Sequence, residues 1–131
     1  MSEYFKKVKT YLMDMDYSIT YESAQEEVFV LSHESEGISD MVVACADPIL
    51  IIEQFLIDIK NPDVKILQQL LQKNRDMVHG ALALDDTGHK VVFRDTLRLE
   101  TLDLDELEGS INALALLLSE FSDDLIAFSK K

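Results

Sequence analysis

The sequence predicts an α+β domain, an antiparallel sheet of about six strands with helices packed on it, and three observations carry that prediction. Apolar residues recur at helical spacing as far as Met15 and then alternate, so the chain passes from helix to strand early. Four strand-like runs follow, separated by short polar turns, and strands joined by short turns pair antiparallel. A leucine-rich stripe at steps of three and four then closes the chain over residues 104–128. The expected order is helix, four strands, helix, hairpin, long C-terminal helix, in a single domain over residues 1–131.

The first helix is expected over Glu3 to Met15, where Tyr4, Phe5, Val8, Tyr11, Leu12 and Met15 share a face and Ser2 supplies the N-cap. Tyr17, Ile19 and Tyr21 then alternate with Ser18, Thr20 and Glu22, the pattern of a half-buried strand. Glu27 to Leu31 is the second strand, and Gly37 ends the turn that begins at His33. Ile38 to Cys45 returns, and Asp47-Pro48 closes that strand because proline lacks a ladder donor. Ile49 to Ile57 is the fourth strand, apolar on both alternations, as in a strand covered on both sides.

Asn61-Pro62-Asp63 reads as a helix start, with Asn61 as cap, Pro62 at the first helical position and Asp63 facing the positive helix end. Val64, Leu67, Leu70 and Leu71 form the stripe expected to be buried, and Gly80 stops the segment. Ala81 to Leu84 and Lys90 to Phe93 form a hairpin around Asp85-Asp86-Thr87-Gly88, and Leu97 and Leu99 continue extended. Asp103 followed by Glu106 caps the last helix, whose stripe is Leu104, Leu107, Ile111, Leu114, Leu118, Phe121, Leu125 and Phe128. Ser122-Asp123-Asp124 is a candidate kink, and Lys130 and Lys131 complement the negative helix end.

Composition narrows the function. A net charge of −13 repels phosphate backbones and anionic lipid, and only Lys6, Lys7 and Lys9 cluster, so neither nucleic acid nor membrane is an expected partner. The start of the chain carries charges in place of a secretory apolar run, which makes the cytoplasm the expected location. Cys45 stands alone in an apolar run and reads as a buried small hydrophobe. His33, His79 and His89 sit at turns without a metal-ligand spacing, and Asp85 to Gly88 lacks the spaced ligands of a calcium loop. No nucleophile elbow or glycine-rich phosphate loop is present, so no catalytic residue, metal or cofactor is expected. Arg75, Arg94 and Arg98 are the only arginines and are candidate contacts for a partner or an anion.

Leu70-Leu71-Gln72-Lys73-Asn74, His79 to Asp85, Gly88 to Phe93, Leu97, Leu99 and the leucine-rich last helix resemble the second half of the type III secretion chaperone fold and the related YbjN-like proteins. The resemblance implies a small acidic bacterial protein of the cytoplasm, often a homodimer, that holds a non-globular client segment against its sheet and helices. The extra fourth strand, Ile49 to Ile57, leans toward the YbjN-like branch.

Together these features predict a non-enzymatic, chaperone-like module that holds an extended or helical segment of a partner protein. The competing reading is a regulatory or ligand-sensing domain with an arginine-lined anion pocket. Surplus apolar surface also predicts a homodimer burying at least roughly 1,000 Å². Its apolar interface is expected on Ile49, Ile51 and Phe55 of the fourth strand and on Leu118, Phe121 and Leu125 of the last helix.

Overall fold

The structure is a computed structural model and describes residues 2–130. The elements are α1 (Glu3–Asp14), β1 (Ser18–Ser23), β2 (Val28–His33), β3 (Ile38–Ala46), β4 (Ile49–Asp58), α2 (Val64–Asn74), β5 (Ala81–Leu84), β6 (Lys90–Arg98) and α3 (Leu104–Ser129). This is the α+β order expected from the sequence. The six strands form one antiparallel sheet in the order β1-β2-β3-β4-β6-β5. The β5–β6 hairpin therefore folds back so that β6 pairs with β4 and β5 becomes an outer edge.

All three helices cover one face of this sheet. On α1 the Phe5 ring stacks on Phe29 of β2, with centroids 4.4 Å apart. On α3 the buried Ser110 hydroxyl donates to Asp95 of β6 at 2.6 Å, and on α2 the Asn74 side chain reaches the backbone of Leu82 in β5. Phe29, Leu31, Met41, Val43, Leu50, Ile52, Val91 and Phe93 supply the sheet side of the core and are buried. Leu107, Ile111, Leu114, Leu125 and Phe128 of the expected α3 stripe are buried opposite them, while Leu104, Leu118 and Phe121 are half-buried.

Several local expectations are corrected. The cap of α2 is Asp63, whose carboxylate accepts from the Ile66 amide at 2.8 Å, so Asn61 and Pro62 lie before the helix. Its buried face also differs from the expected stripe: Leu70 is buried as expected and Ile66 with it, whereas Val64 and Leu71, expected inside, are each 70% exposed. In β1 a register shift between Ile19 and Tyr21 breaks the single alternation, so Ile19 packs toward the core and Tyr21 is exposed on the other face. A similar shift between Phe55 and Ile57 separates these two residues, which simple alternation puts on one face. The last helix passes through Ser122-Asp123-Asp124 without interruption, about 39 Å in all. Lys130 is its C-cap, and Lys131 lies outside the described residues.

Two glycines are required by the turns they occupy. Gly80 has φ +73°, and a Cβ there would stand 2.6 Å from the Phe93 ring, so only glycine lets α2 turn into β5. Gly37 has φ +78°, and its Cβ would stand 2.5 Å from a methyl of Leu118 on α3.

Candidate functional site

Because every helix packs on one side, the sheet's other side has no cover among the described residues, and the register lays it out in rows. One row runs Tyr21, Val30, Val42, Glu53, Arg94 and Ala81, and the next runs Ser23, Val28, Ala44, Ile51 and Thr96. Ile49 and Ala46 continue on one flank, Phe55 and Val92 on the other. Phe55 is 48% exposed, and the Lys90 ammonium lies over its ring at 4.8 Å.

A second apolar surface lies between α2 and the edge strand. Leu67, Leu70 and Leu71 of α2 face Leu82 and Leu84 of β5 and Val91 of β6 across a cleft of about 320 Å³. Leu71 and Leu84, both exposed, stand at its rim. Asn74 closes one end. Its amide donates to the Leu82 carbonyl at 3.2 Å and its carbonyl accepts from the Leu82 amide at 2.7 Å. In an antiparallel ladder the N–H and C=O of one residue point to the same edge. Leu82 therefore turns its backbone away from β6, and Asn74 occupies the positions that an added strand would use. The cleft offers apolar side-chain contacts more than a free backbone edge.

A third cleft, of about 510 Å³, opens where β3 diverges from β4. Asp40, at φ +51°, bends β3 away, and the buried Gln54 side chain spans the gap. Its carbonyl accepts from the Ser39 amide and its amide donates to the Gly37 carbonyl, each at 3.1 Å. Phe55, Leu118 and Leu125, three of the expected interface residues, border this cleft. Phe121 lies elsewhere on α3, under the Lys73 ammonium at 4.5 Å, while Lys73 also pairs with Asp124 at 2.6 Å. Ile49 and Ile51 are half-buried on the uncovered face.

The arginines are spread out. Arg94 pairs with Glu53 at 2.6 Å on the uncovered face and borders a shallow cleft with Gly80, Ala81 and Thr96. Arg98 is four residues further along the same strand, and Arg75 is the C-cap of α2. Neither is part of the lining around Arg94.

The titratable groups have local structural roles. Burial, then the Glu36 carboxylate 3.3 Å away, pushes the Tyr17 hydroxyl up to about 12. Burial, then Glu27, pushes the Cys45 thiol up to about 11. The hydroxyl of Thr87 holds the Asp85 carboxyl below its ordinary value, so that carboxylate serves its own turn. His33 lies edge-on to Tyr17, and an imidazole nitrogen of His89 lies 2.9 Å from the Ile59 carbonyl. Among the described residues no three histidine, cysteine, aspartate or glutamate side chains gather in a metal-binding arrangement. Among the same residues, no helix is long and apolar enough to cross a membrane.

With helices on one side of a six-stranded antiparallel sheet and apolar clefts at its rim, the chain has the form of a chaperone-like binding fold. Over residues 1–131 it matches the CesT_Tir_1 family model, and it belongs to that family of type III chaperones. Among solved structures it is similar to YbjN from E. coli, with a TM-score of 0.68 at 13% identity over 92% of each chain. It is also similar to a chain of the HopA1–SchA chaperone–effector complex, with a TM-score of 0.63 at 10% identity over 98% of this chain and 94% of that one. A third likeness is to the heterodimeric ExoU–SpcU complex of the Pseudomonas aeruginosa type III secretion system: TM-score 0.55, 22% identity, 65% of this chain and 73% of that one. No curated protein matches the sequence.

The sequence pointed to apolar surplus but missed the α2–β5 cleft. Leu71 and Leu84 carried what signal there was, as large apolar residues on α2 and at the end of the short strand β5 that the fold leaves exposed side by side.

Proposed function

We propose that this chain is a non-enzymatic, cytoplasmic binding protein of the chaperone type, working as a homodimer, and that it seats an apolar segment of a partner protein in the α2–β5 cleft. The observation that supports this reading is the cleft itself, lined wholly by apolar side chains and flanked by the exposed Leu71 and Leu84. Because Asn74 already takes the outward backbone groups of Leu82, the cleft favours an amphipathic helix that inserts side chains over strand addition. With the chain at −13, a basic or neutral polar face on that helix is favoured. Family membership and the likeness to a chaperone–effector complex are consistent with such a role.

The test begins by capturing partners from the source cells and synthesising the bound segment as a peptide. That peptide is then titrated calorimetrically into the wild type and into Leu71→Lys and Leu84→Lys. Both residues are exposed, so both variants should fold. A loss of affinity of about tenfold or more is expected in each, as for a buried apolar contact worth at least about 1.4 kcal/mol. Unchanged affinity in both variants would remove the cleft as the seat.

A further inference from the structure

We infer that the cleft between β3, β4 and α3 is a binding site for a small amphiphilic amine, a molecule with an apolar body and a single ammonium group. It shares no lining residue with the α2–β5 cleft, and it prefers the opposite charge to an arginine-lined anion pocket.

The sheet is built open at this point. The β3–β4 ladder stops at the Val42–Glu53 pair, although β4 runs on to Asp58. Three irregularities converge on the break: Asp40 at φ +51°, the register shift between Leu31 and His33, and the shift between Phe55 and Ile57. Bulges of this kind are enriched beside functional sites, where they end pairing and re-aim side chains. Here they leave a recess of about 510 Å³, inside the roughly 300–1,000 Å³ range of small-molecule sites.

The lining matches one ligand chemistry. Phe55, Leu56, Ile57, Leu118, Leu125 and Ile126 form apolar walls. The polar groups among them are few, as such sites require: Ser39, Ser122, Gln54 and Asp40. Asp40 is the only charged residue of the lining, and among the described residues it takes part in no ion pair. Lys90, which lies over the Phe55 ring, is already paired with Asp58 at 3.0 Å. The field of a chain at −13 draws cations to such a carboxylate and repels anions. Gln54 selects a small molecule over a peptide. Its side chain takes the Ser39 amide and the Gly37 carbonyl, the backbone groups on the β3 side that a strand entering the break would pair with.

Decylamine, an ammonium at neutral pH, is the probe, with decanoate and decanol as chain-matched controls. Each is titrated calorimetrically into the full chain below its aggregation concentration. Saturable, stoichiometric binding of decylamine is expected, about tenfold tighter than decanoate, with decanol between them. Asp40→Asn keeps a residue that tolerates positive φ, and it should weaken decylamine by about three- to fivefold while leaving decanol unchanged. Ile126→Lys, at an exposed position of α3, should weaken decylamine by about tenfold or more. Methyl NMR should place the shifts on Ile57, Leu118, Leu125 and Ile126, with Leu71 and Leu84 unmoved. Decanoate binding as tightly as decylamine, no saturable binding of decylamine, or shifts on Leu71 and Leu84 alone overturns the inference. Unchanged decylamine affinity in folded Asp40→Asn or Ile126→Lys overturns it as well. An alternating leucine–lysine hexapeptide that binds the same residues more tightly than decylamine would also do so, by making the break a peptide slot. The partner cleft is read with a different ligand and different methyl groups, so it stands or falls independently.

Discussion

Asn74 holds the candidate site together, and replacing it with alanine should untie β5 from α2. The substitution removes two hydrogen bonds, of 2.7 and 3.2 Å, and leaves both outward backbone groups of Leu82 without their partner. A hydrogen bond is worth about 0.5–1.5 kcal/mol net, and a stranded buried polar group costs about 1–3 kcal/mol. Leu82 lies in an edge strand, so water reaches its backbone in part once the side chain is gone. The expected loss is therefore about 2 kcal/mol, not the full sum. With a urea slope of about 2 kcal/mol/M, the unfolding midpoint should fall by roughly 1 M. Amide exchange localises the effect: the Leu82 amide should lose protection far beyond the global change, while Phe29 and Val43 should follow the global change alone. The freed edge should also raise self-association on heating, since an uncapped strand edge is a template for pairing. An unchanged midpoint with a slow Leu82 amide would show that Asn74 does not hold the edge, and the cleft would need another account.

Two further outcomes follow from the packing. Leu114→Ala, at a fully buried site on α3, should cost about 2–4 kcal/mol, whereas Leu116→Ala, 64% exposed and two residues along, should stay within about 0.5 kcal/mol. Equal urea midpoints for the two variants would mean that the face of α3 is wrongly assigned. Cys45, pushed up to about 11 from an ordinary 9.0, carries about a hundredfold less thiolate at pH 8. Iodoacetamide should therefore alkylate it about a hundredfold more slowly in the folded chain than in urea; equal rates would contradict its burial.

How far the fold was legible depended on whether the signal was local. Ser2 and Asp103 cap α1 and α3 through their side chains, accepting from Phe5 and Glu106, and the stripes behind them are strongly periodic. Such features lie within a few residues of one another, so the sequence displays them. At α2 the sequence points to Asn61 as the cap, whereas the helix starts two residues later behind Asp63, whose carboxylate reads from the sequence only as a first-turn charge. The expected stripe put Val64 and Leu71 inside and concealed the cleft that Leu71 borders. Bulges at Ile19/Tyr21 and Phe55/Ile57 leave no mark, because alternation reads the same on either side of an extra residue. Asp16, Glu27 and Asp40 adopt positive φ without being glycine, so glycine-based turn reading overlooks them. The contacts that build the site join residues distant in sequence: Asn74 with Leu82, Arg94 with Glu53, Gln54 with Gly37. The uncovered face is the exception, since the double apolar alternation of Ile49 to Phe55 already announced a surface needing a second cover.

The central claim is that a partner segment sits between α2 and β5. Methyl-labelled NMR spectra of the chain, titrated with the captured partner's segment, test it most directly. Leu67, Leu71, Leu84 and Val91 should shift with saturating, stoichiometric dependence, while Val30, Val42 and Ile51 stay in place. Shifts confined to Val30, Val42 and Ile51, with the cleft leucines unmoved, would contradict it.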